Sequence, residues 1–514
     1  MTVTTTRPAY RSSARPAVRT EAVWAVVGAI VAAALVIASL YVAPAVLGAT
    51  IAGLVCVYLA AFLPKAFALV AVTVIVLSNV LQNTVGTVAS SADEAVIALS
   101  VIAFCARRLV TEHRLVLLPG TFWFLGFFAF GVASTIAQHA SYSTMAESAI
   151  LIAKGLLFAF ALAQLRWTQR DIRILVVAGI VAIAMMALTG LLNLVFPAFW
   201  SSLVARGSGG VGPHVAGIPV LQGLFQHPAA FGRFCSVLAV AAVSYACVVR
   251  TSIGNLIMIG VAGFLAMLTF EVKSIVGLIV SAGLIVVRFS RPVLLFAALC
   301  IGPVIAAVAI PPLSALIGGA IETYILQDSA RSTLTLGSLH VASTYFPLGA
   351  GFGRYGSYPA GVSYSPEYYA LGFDHVYGLG PGDKGMFLND TQWPAIVGES
   401  GWLGAICFAA GSLVILVFLL RPVGPDEPVL TRWLRITGAG WLILLMIESS
   451  AAPVFVSAPS FPFVFAAAGM VASLRTSARD EARQPDALAP RASGSRLPDP
   501  QHPGSSPART KPAV

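Results

Sequence analysis

The sequence predicts an all-α polytopic integral membrane protein, with about 14 transmembrane helices and one large extracytoplasmic loop. Three observations lead there. Of 514 residues, 58% are hydrophobic and only 10% are charged, where a soluble protein carries about 25% charged residues. Apolar runs recur at the length of about 20 residues that a helix needs to cross a bilayer. Lys and Arg gather on alternate connections between those runs, as the positive-inside rule requires.

Residues 1–20, rich in Thr, Ser, Arg and Pro, read as a disordered cytoplasmic tail, too polar for a cleaved signal peptide. The helical bundle is expected over residues 21–474. Its spans are Val23–Tyr41, Ala45–Phe62, Ala66–Val80, Val88–Ala106, Thr121–Ala137, Ala146–Leu165, Ile172–Phe196, Ala229–Val249, Ile253–Phe270, Glu271–Phe289, Pro292–Ile317, Ala395–Leu420, Trp433–Ile447 and Val454–Leu474. Residues 475–514 read as a second disordered tail. All six cysteines (Cys56, Cys105, Cys235, Cys247, Cys300, Cys407) fall inside apolar spans, which makes them small hydrophobes.

With the N-terminus cytoplasmic, alternation places 24 of the 31 Lys and Arg residues on the cytoplasmic side. Both termini are then cytoplasmic, in the inner or plasma membrane of a cell. The net charge of +10 is topological, with some attraction of the tail to anionic lipid, and no nucleic-acid motif accompanies it. The charges off the cytoplasmic side are Lys154, Arg206, Arg233, Lys273, Arg331, Arg354 and Lys384.

Two loops face outward, residues 197–228 and 318–393. The first holds GSGGVGPHVAG, which follows no strand, lacks a phosphate-binding lysine and reads as a flexible surface loop, and ends in GLFQHPAAFGRF. The second is too rich in tyrosine and glycine turns for a solvated linker, and loops of such length are usually functional or disordered. It reads as the active-site loop.

Each candidate residue has two readings. Lys273, at the outer end of a span, is a functional intramembrane charge or a lysine snorkelling to headgroups. Its neighbour Glu271 lies about 200° round a helix, which argues against an ion pair between them. Lys154, mid-span, binds lipid phosphate or forms a structural pair, with Glu147 as the candidate partner. Arg233 anchors its helix or contacts substrate, while Arg206 and Arg354 read as solvated. Arg331 opens an amphipathic helix, and its guanidinium fork suits phosphate. Asp390, clustered with Asn389 and Gln392 ahead of Glu399, accepts a hydroxyl proton or caps the following helix. Tyr355, Tyr358, Tyr364, Tyr368, Tyr369 and Tyr377 suit sugar rings as well as a membrane interface. The histidines show no metal-ligand spacing, so neither a metal nor a cofactor is expected.

Three stretches over residues 270–404 resemble the O-antigen ligase/polymerase superfamily. They are Lys273-Ser274 opening a span; Arg331 followed by FPLGAGFG at Phe346–Gly353; and NDTQW at Asn389–Trp393 followed by Glu399, Gly401 and Gly404. GLFQHPAAFGRF is similar to a further segment of that family. Two positions depart from the pattern: the family arginine is Lys273 here, and the ligases' His-Asn pair is replaced around Asn389-Asp390. The resemblance implies a GT-C-like bundle and inverting glycosyl transfer from an undecaprenyl-pyrophosphate-linked glycan to an acceptor sugar, as a surface-polysaccharide polymerase or ligase. It implies Asp390 as base and Arg331 and Lys273 at the leaving pyrophosphate; Arg233, Asn389 and Glu399 from the matched segments, and Lys154 and Tyr355 on their own residue chemistry, are the candidate substrate contacts. The implied partners are the polyprenyl-linked glycan, the acceptor glycan, membrane lipids and polysaccharide-assembly proteins. A lipid-linked oligosaccharide flippase, or another polysaccharide transporter, is the competing class. Transporters usually carry repeated halves, and the chain has no internal repeat.

Overall fold

The computed structural model describes residues 44–86, 89–204, 214–215, 218–289, 329–382 and 387–483. Among these the chain is helical almost throughout, and the only strand pairing is a two-residue antiparallel bridge, His214–Val215 with Ile218–Pro219. The expected spans Val23–Tyr41 and Pro292–Ile317 lie outside the described residues, as do Arg206, Lys384 and most of both tails.

The helices are α1 (Pro44–Phe62), α2 (Pro64–Val76), α3 (Ser78–Val85), α4 (Ala92–Glu112), α5 (Thr121–Ala137), α6 (Tyr142–Ala163), α7 (Gln169–Val195), α8 (Pro197–Val204), α9 (Pro228–Val248), α10 (Ile253–Met267) and α11 (Val272–Phe289). Then follow α12 (Ala330–Thr344), α13 (Tyr358–Ser363), α14 (Pro366–Ala370), α15 (Trp393–Leu420), α16 (Val429–Glu448) and α17 (Phe461–Arg483). Their starts follow local chemistry. Thr168 and Asp171 form a reciprocal capping box at α7, and Pro228 opens α9 where its missing N–H costs nothing.

Among the described residues, seven helices (α6, α7, α9, α11, α15, α16, α17) are long and apolar enough to cross a membrane, and an eighth span results if α2 and α3, bent by 69° at Leu77, are one. Helices α5 and α10 are apolar but shorter, and α4 carries too many charges. The last span also differs. Val454–Ser460 is irregular and partly buried, and α17 starts only at Phe461. It then runs nine residues past Leu474 into the part expected to be tail.

Helices α9 and α16 sit at the centre, buried on most sides, whereas α7 turns Ile174, Val177, Val181, Met185, Leu188 and Leu191 outward. Such an apolar outer face is what lipid contact needs. α5 packs along α15, α6 along α17, and α9 against α10, α11 and α16.

The long loop folds as a small unit of its own. Leu334 and Val341 of α12, with Tyr355, Tyr368, Phe373, Leu379 and Leu388, close a separate core, and Tyr368 stacks on Phe373 at 5.9 Å. This unit is tied to the bundle through a break in α15. At Gly401 the helix turns through φ 69°, ψ −174°, a region open essentially to glycine alone. The FPLGAGFG segment enters the break, where Ala350 and Gly351 donate their N–H groups to the carbonyls of Gly398 (2.8 Å) and Glu399 (3.0 Å). These bonds satisfy carbonyls that the break would otherwise leave without partners. Contact is so close that a Cβ on Gly401 would stand 2.2 Å from the Leu348 oxygen, and one on Gly349 2.5 Å from the Gly401 nitrogen.

Candidate active site

The segment after α16, residues 449–460, is where four helices and the loop meet. Gln392 donates its N–H to the Ser449 carbonyl at 3.1 Å, its Oε1 accepts from Phe455 N–H at 3.2 Å, and Trp393 Nε1 donates to Ser449 Oγ at 2.9 Å. Lys273, in the first turn of α11, donates to the Ala451 carbonyl at 3.1 Å. Arg233 of α9 binds Glu448 at 2.6 Å and approaches Ser460 Oγ at 3.4 Å.

Arg331, in the first turn of α12, meets Asp390 at 2.6 Å across the mouth of this junction. The loop thus brings together two residues 59 apart in sequence, both singled out from the sequence. Ser329 fixes the start of α12 by accepting the N–H of Ser332, and this sets the position of Arg331. Asp390 does not cap α15: the residue before that helix is Gln392, and no side chain caps it.

Beside the Arg331–Asp390 pair lies a cavity of about 200 Å³ with a mainly apolar wall that includes Leu151, Ile152 and Pro453, to which Ser148, Ser357, Tyr358, Asn389, Thr391 and Gln392 also contribute. Asn389 therefore faces it as expected. Arg331, Asp390 and Lys273 are not among its lining residues.

Other expected site residues sit differently. Lys273 does pair with Glu271, at 3.7 Å. The helical-wheel argument fails because α11 begins at Val272, after Phe270 takes a positive φ of 54°, so Glu271 is not on the helix. Lys154 pairs with Asp93 (2.8 Å) and Glu94 (3.3 Å) on α4, not with Glu147, because α4 and α6 pack side by side. Glu399 is fully enclosed and accepts from Ser148 Oγ (2.8 Å), Gly353 N–H (2.8 Å), Tyr355 N–H (3.3 Å) and Ser357 Oγ (2.5 Å). Its carboxylate has no open side for a substrate and acts as the clasp of the glycine loop. Tyr355 is fully buried and donates to the Leu334 carbonyl at 2.7 Å. It belongs to the loop's core, and burial pushes its phenol well above the usual range. Arg354, expected to be solvated, pairs with Glu367 at 2.6 Å. The tyrosines that face outward are Tyr358, Tyr369 and Tyr377.

Glu448 went unnoticed in the sequence, although an acid closing an apolar span of 20 residues is the signal that should have raised it. Asp93 and Glu94, inside another apolar run, carried the same signal. Among the described residues no cluster of three or more His, Cys, Asp or Glu could hold a metal. No model of a protein family matches this chain, and no curated protein matches it.

Proposed function

We propose that the protein transfers a glycan at the extracytoplasmic membrane face, from a polyprenyl-pyrophosphate-linked donor to an acceptor sugar hydroxyl. The observation that carries this reading is the half-exposed Arg331–Asp390 pair, 2.6 Å apart, beside a cavity with hydroxyl and amide groups in its wall. Negative charge develops on the leaving pyrophosphate in such a transfer, and fixed cations there lower the barrier.

Arg331 has the fork geometry for a phosphate. When a phosphate takes the guanidinium, Asp390 is released next to the cavity, where a carboxylate can accept the acceptor's proton. Lys273, held by a carbonyl and by a carboxylate at 3.7 Å, supplies the second positive charge. Arg233 drops out of the substrate contacts, since Glu448 and Ser460 enclose it. The full bundle is read as about fourteen spans with cytoplasmic termini.

The direct test is turnover of a purified lipid-pyrophosphate glycan by the detergent-solubilised protein. Release of lipid pyrophosphate with an elongated or ligated glycan supports the reading. Movement of the intact donor across proteoliposomes without turnover replaces it with the flippase class. Orientation is tested by Tyr377→Cys, at a side chain 88% exposed. An impermeant maleimide is expected to label it in intact cells, and labelling only after lysis would reverse the topology.

A further inference from the structure

The cavity beside the Arg331–Asp390 pair carries polar groups that the protein itself leaves unused. Thr391, only 2% exposed, has no hydrogen-bond partner for its Oγ1 among the described residues. Buried hydroxyls nearly always have one, so an exception on a cavity wall calls for an explanation. Gln392, also 2% exposed, accepts the Phe455 N–H at Oε1, while its Nε2 has no acceptor among the described residues. Both residues line the cavity, and Asn389 brings a second amide to it. Ser148 and Ser357 line it too, but their hydroxyls already donate to Glu399, at 2.8 Å and 2.5 Å. Towards a ligand these two serines can therefore only accept.

The rest of the wall is apolar, with Leu151, Ile152, Pro453 and Val456, and the exposed Tyr358 adds an aromatic ring. No lining residue is charged, and Arg331 is engaged with Asp390. A fitting ligand thus needs apolar surface, a group that accepts from Gln392 Nε2, and groups that donate to the serines. A carboxylate fails on two counts. It only accepts, so it would meet the serine lone pairs with Glu399 behind them, and it would find no cation on the wall to offset its lost hydration. An uncharged sugar ring meets every requirement. Its CH faces suit apolar and aromatic surface, and its hydroxyls both donate and accept.

We propose that this cavity is the subsite for one uncharged sugar residue of the glycan, held through Gln392 Nε2 and Thr391 Oγ1, and that it rejects uronic acids. The inference rests on the glycosyl-transfer reading and adds the class of sugar that the reading leaves open.

The test is saturation-transfer NMR on the full-length protein in detergent, without any lipid-linked donor. The probes are the methyl glycosides of glucose, galactose, mannose and N-acetylglucosamine, against those of glucuronic and galacturonic acid. Saturable transfer is expected from at least one neutral glycoside and from neither acidic one. Thr391→Val keeps the shape of the side chain and is expected to weaken that binding by about 3- to 10-fold, the effect of one hydrogen bond. Its unfolding midpoint without sugar should hold or rise, because the lost hydroxyl has no partner in the folded chain. Gln392→Glu, which keeps Oε1 for Phe455 and removes the donor, is expected to weaken binding as well. No saturable transfer from any neutral glycoside would overturn the proposal. So would equal transfer from the acidic ones, or unchanged binding by folded Thr391→Val. Turnover of the lipid-linked donor is measured separately. Turnover without sugar selectivity removes the subsite alone, whereas selective binding without turnover removes the transfer reading and leaves a site for neutral sugars.

Discussion

Two ion pairs in this molecule share a distance and little else. Arg233–Glu448 and Arg331–Asp390 both stand at 2.6 Å. The first is enclosed, with side-chain exposures of 6% and 0%, and the second is open, at 26% and 34%. Neither partner in the buried pair can leave without stranding the other in a medium that solvates charge poorly. In the open pair water replaces a departing partner, so the bond is worth little to stability and is free to be exchanged. Burial rather than distance therefore separates the pair that holds helices together from the pair suited to meet a charged substrate.

The largest effect is expected where the buried pair is broken. Glu448→Leu leaves Arg233 charged with only Ser460 Oγ, at 3.4 Å, as a partner, a loss of about 3–5 kcal/mol. Fluorescence-detected size exclusion is expected to show little folded protein. Adding Arg233→Met restores most of it, because an apolar pair of similar volume removes the stranded charge. A well-folded Glu448→Leu single variant would break the comparison at its buried end.

Next comes the open pair. Arg331→Ala is expected to reduce turnover by about 100- to 1000-fold, the usual loss when a preorganised group at a developing anion is removed. Its thermal midpoint should move little, since a pair open to solvent on one side contributes about 0–1 kcal/mol. Arg331→Lys retains part of the activity, because it keeps the charge and loses the fork. Normal turnover by Arg331→Ala in matched amounts would remove the pair from the site.

Lys273 lies between these extremes, with one carbonyl and one distant carboxylate as partners. Lys273→Arg is expected to keep turnover. Lys273→Met, which preserves the aliphatic stem, is expected to lower it by about 10- to 100-fold, less than Arg331→Ala because Glu271 already offsets part of the charge. Equal turnover by the two variants would identify the lysine as an interfacial anchor.

The sequence makes the helices legible because lipid imposes a single period and length on them. Twelve expected spans overlap helices of the structure, and Thr121–Ala137 coincides with its helix at both ends. It was much less informative about how polar groups are enclosed. Arg331 and Asp390 could be singled out as site residues, but their contact depends on how a loop of about 75 residues folds back. Lys154 finds partners 61 and 60 residues away, through helix packing that no local spacing records. The break at Gly401 lies in a largely apolar run just after Glu399 and Ser400, where glycine reads as a small packing residue. Glu399 and Tyr355 look like site residues by type and belong to the scaffold by burial, a property settled only by the neighbours that close over them.

The smallest effect is expected at Tyr355, and it carries the comparison into the loop. Its hydroxyl makes one hydrogen bond, to the Leu334 carbonyl at 2.7 Å, inside a core shared with Tyr368 and Phe373. Tyr355→Phe keeps the ring and removes that bond, which costs about 1 kcal/mol, with the stranded carbonyl setting the upper part of the range. The midpoint should fall by a few degrees, and turnover at a permissive temperature should stay within about twofold of wild type, because no substrate reaches the ring. A substrate contact would behave in the opposite way: removing a hydroxyl that binds a sugar raises KM and leaves the unfolding midpoint alone. Measuring both on one preparation separates the cases. A raised KM with an unchanged midpoint would return Tyr355 to the binding surface and would mean that the loop opens further than its packed form indicates.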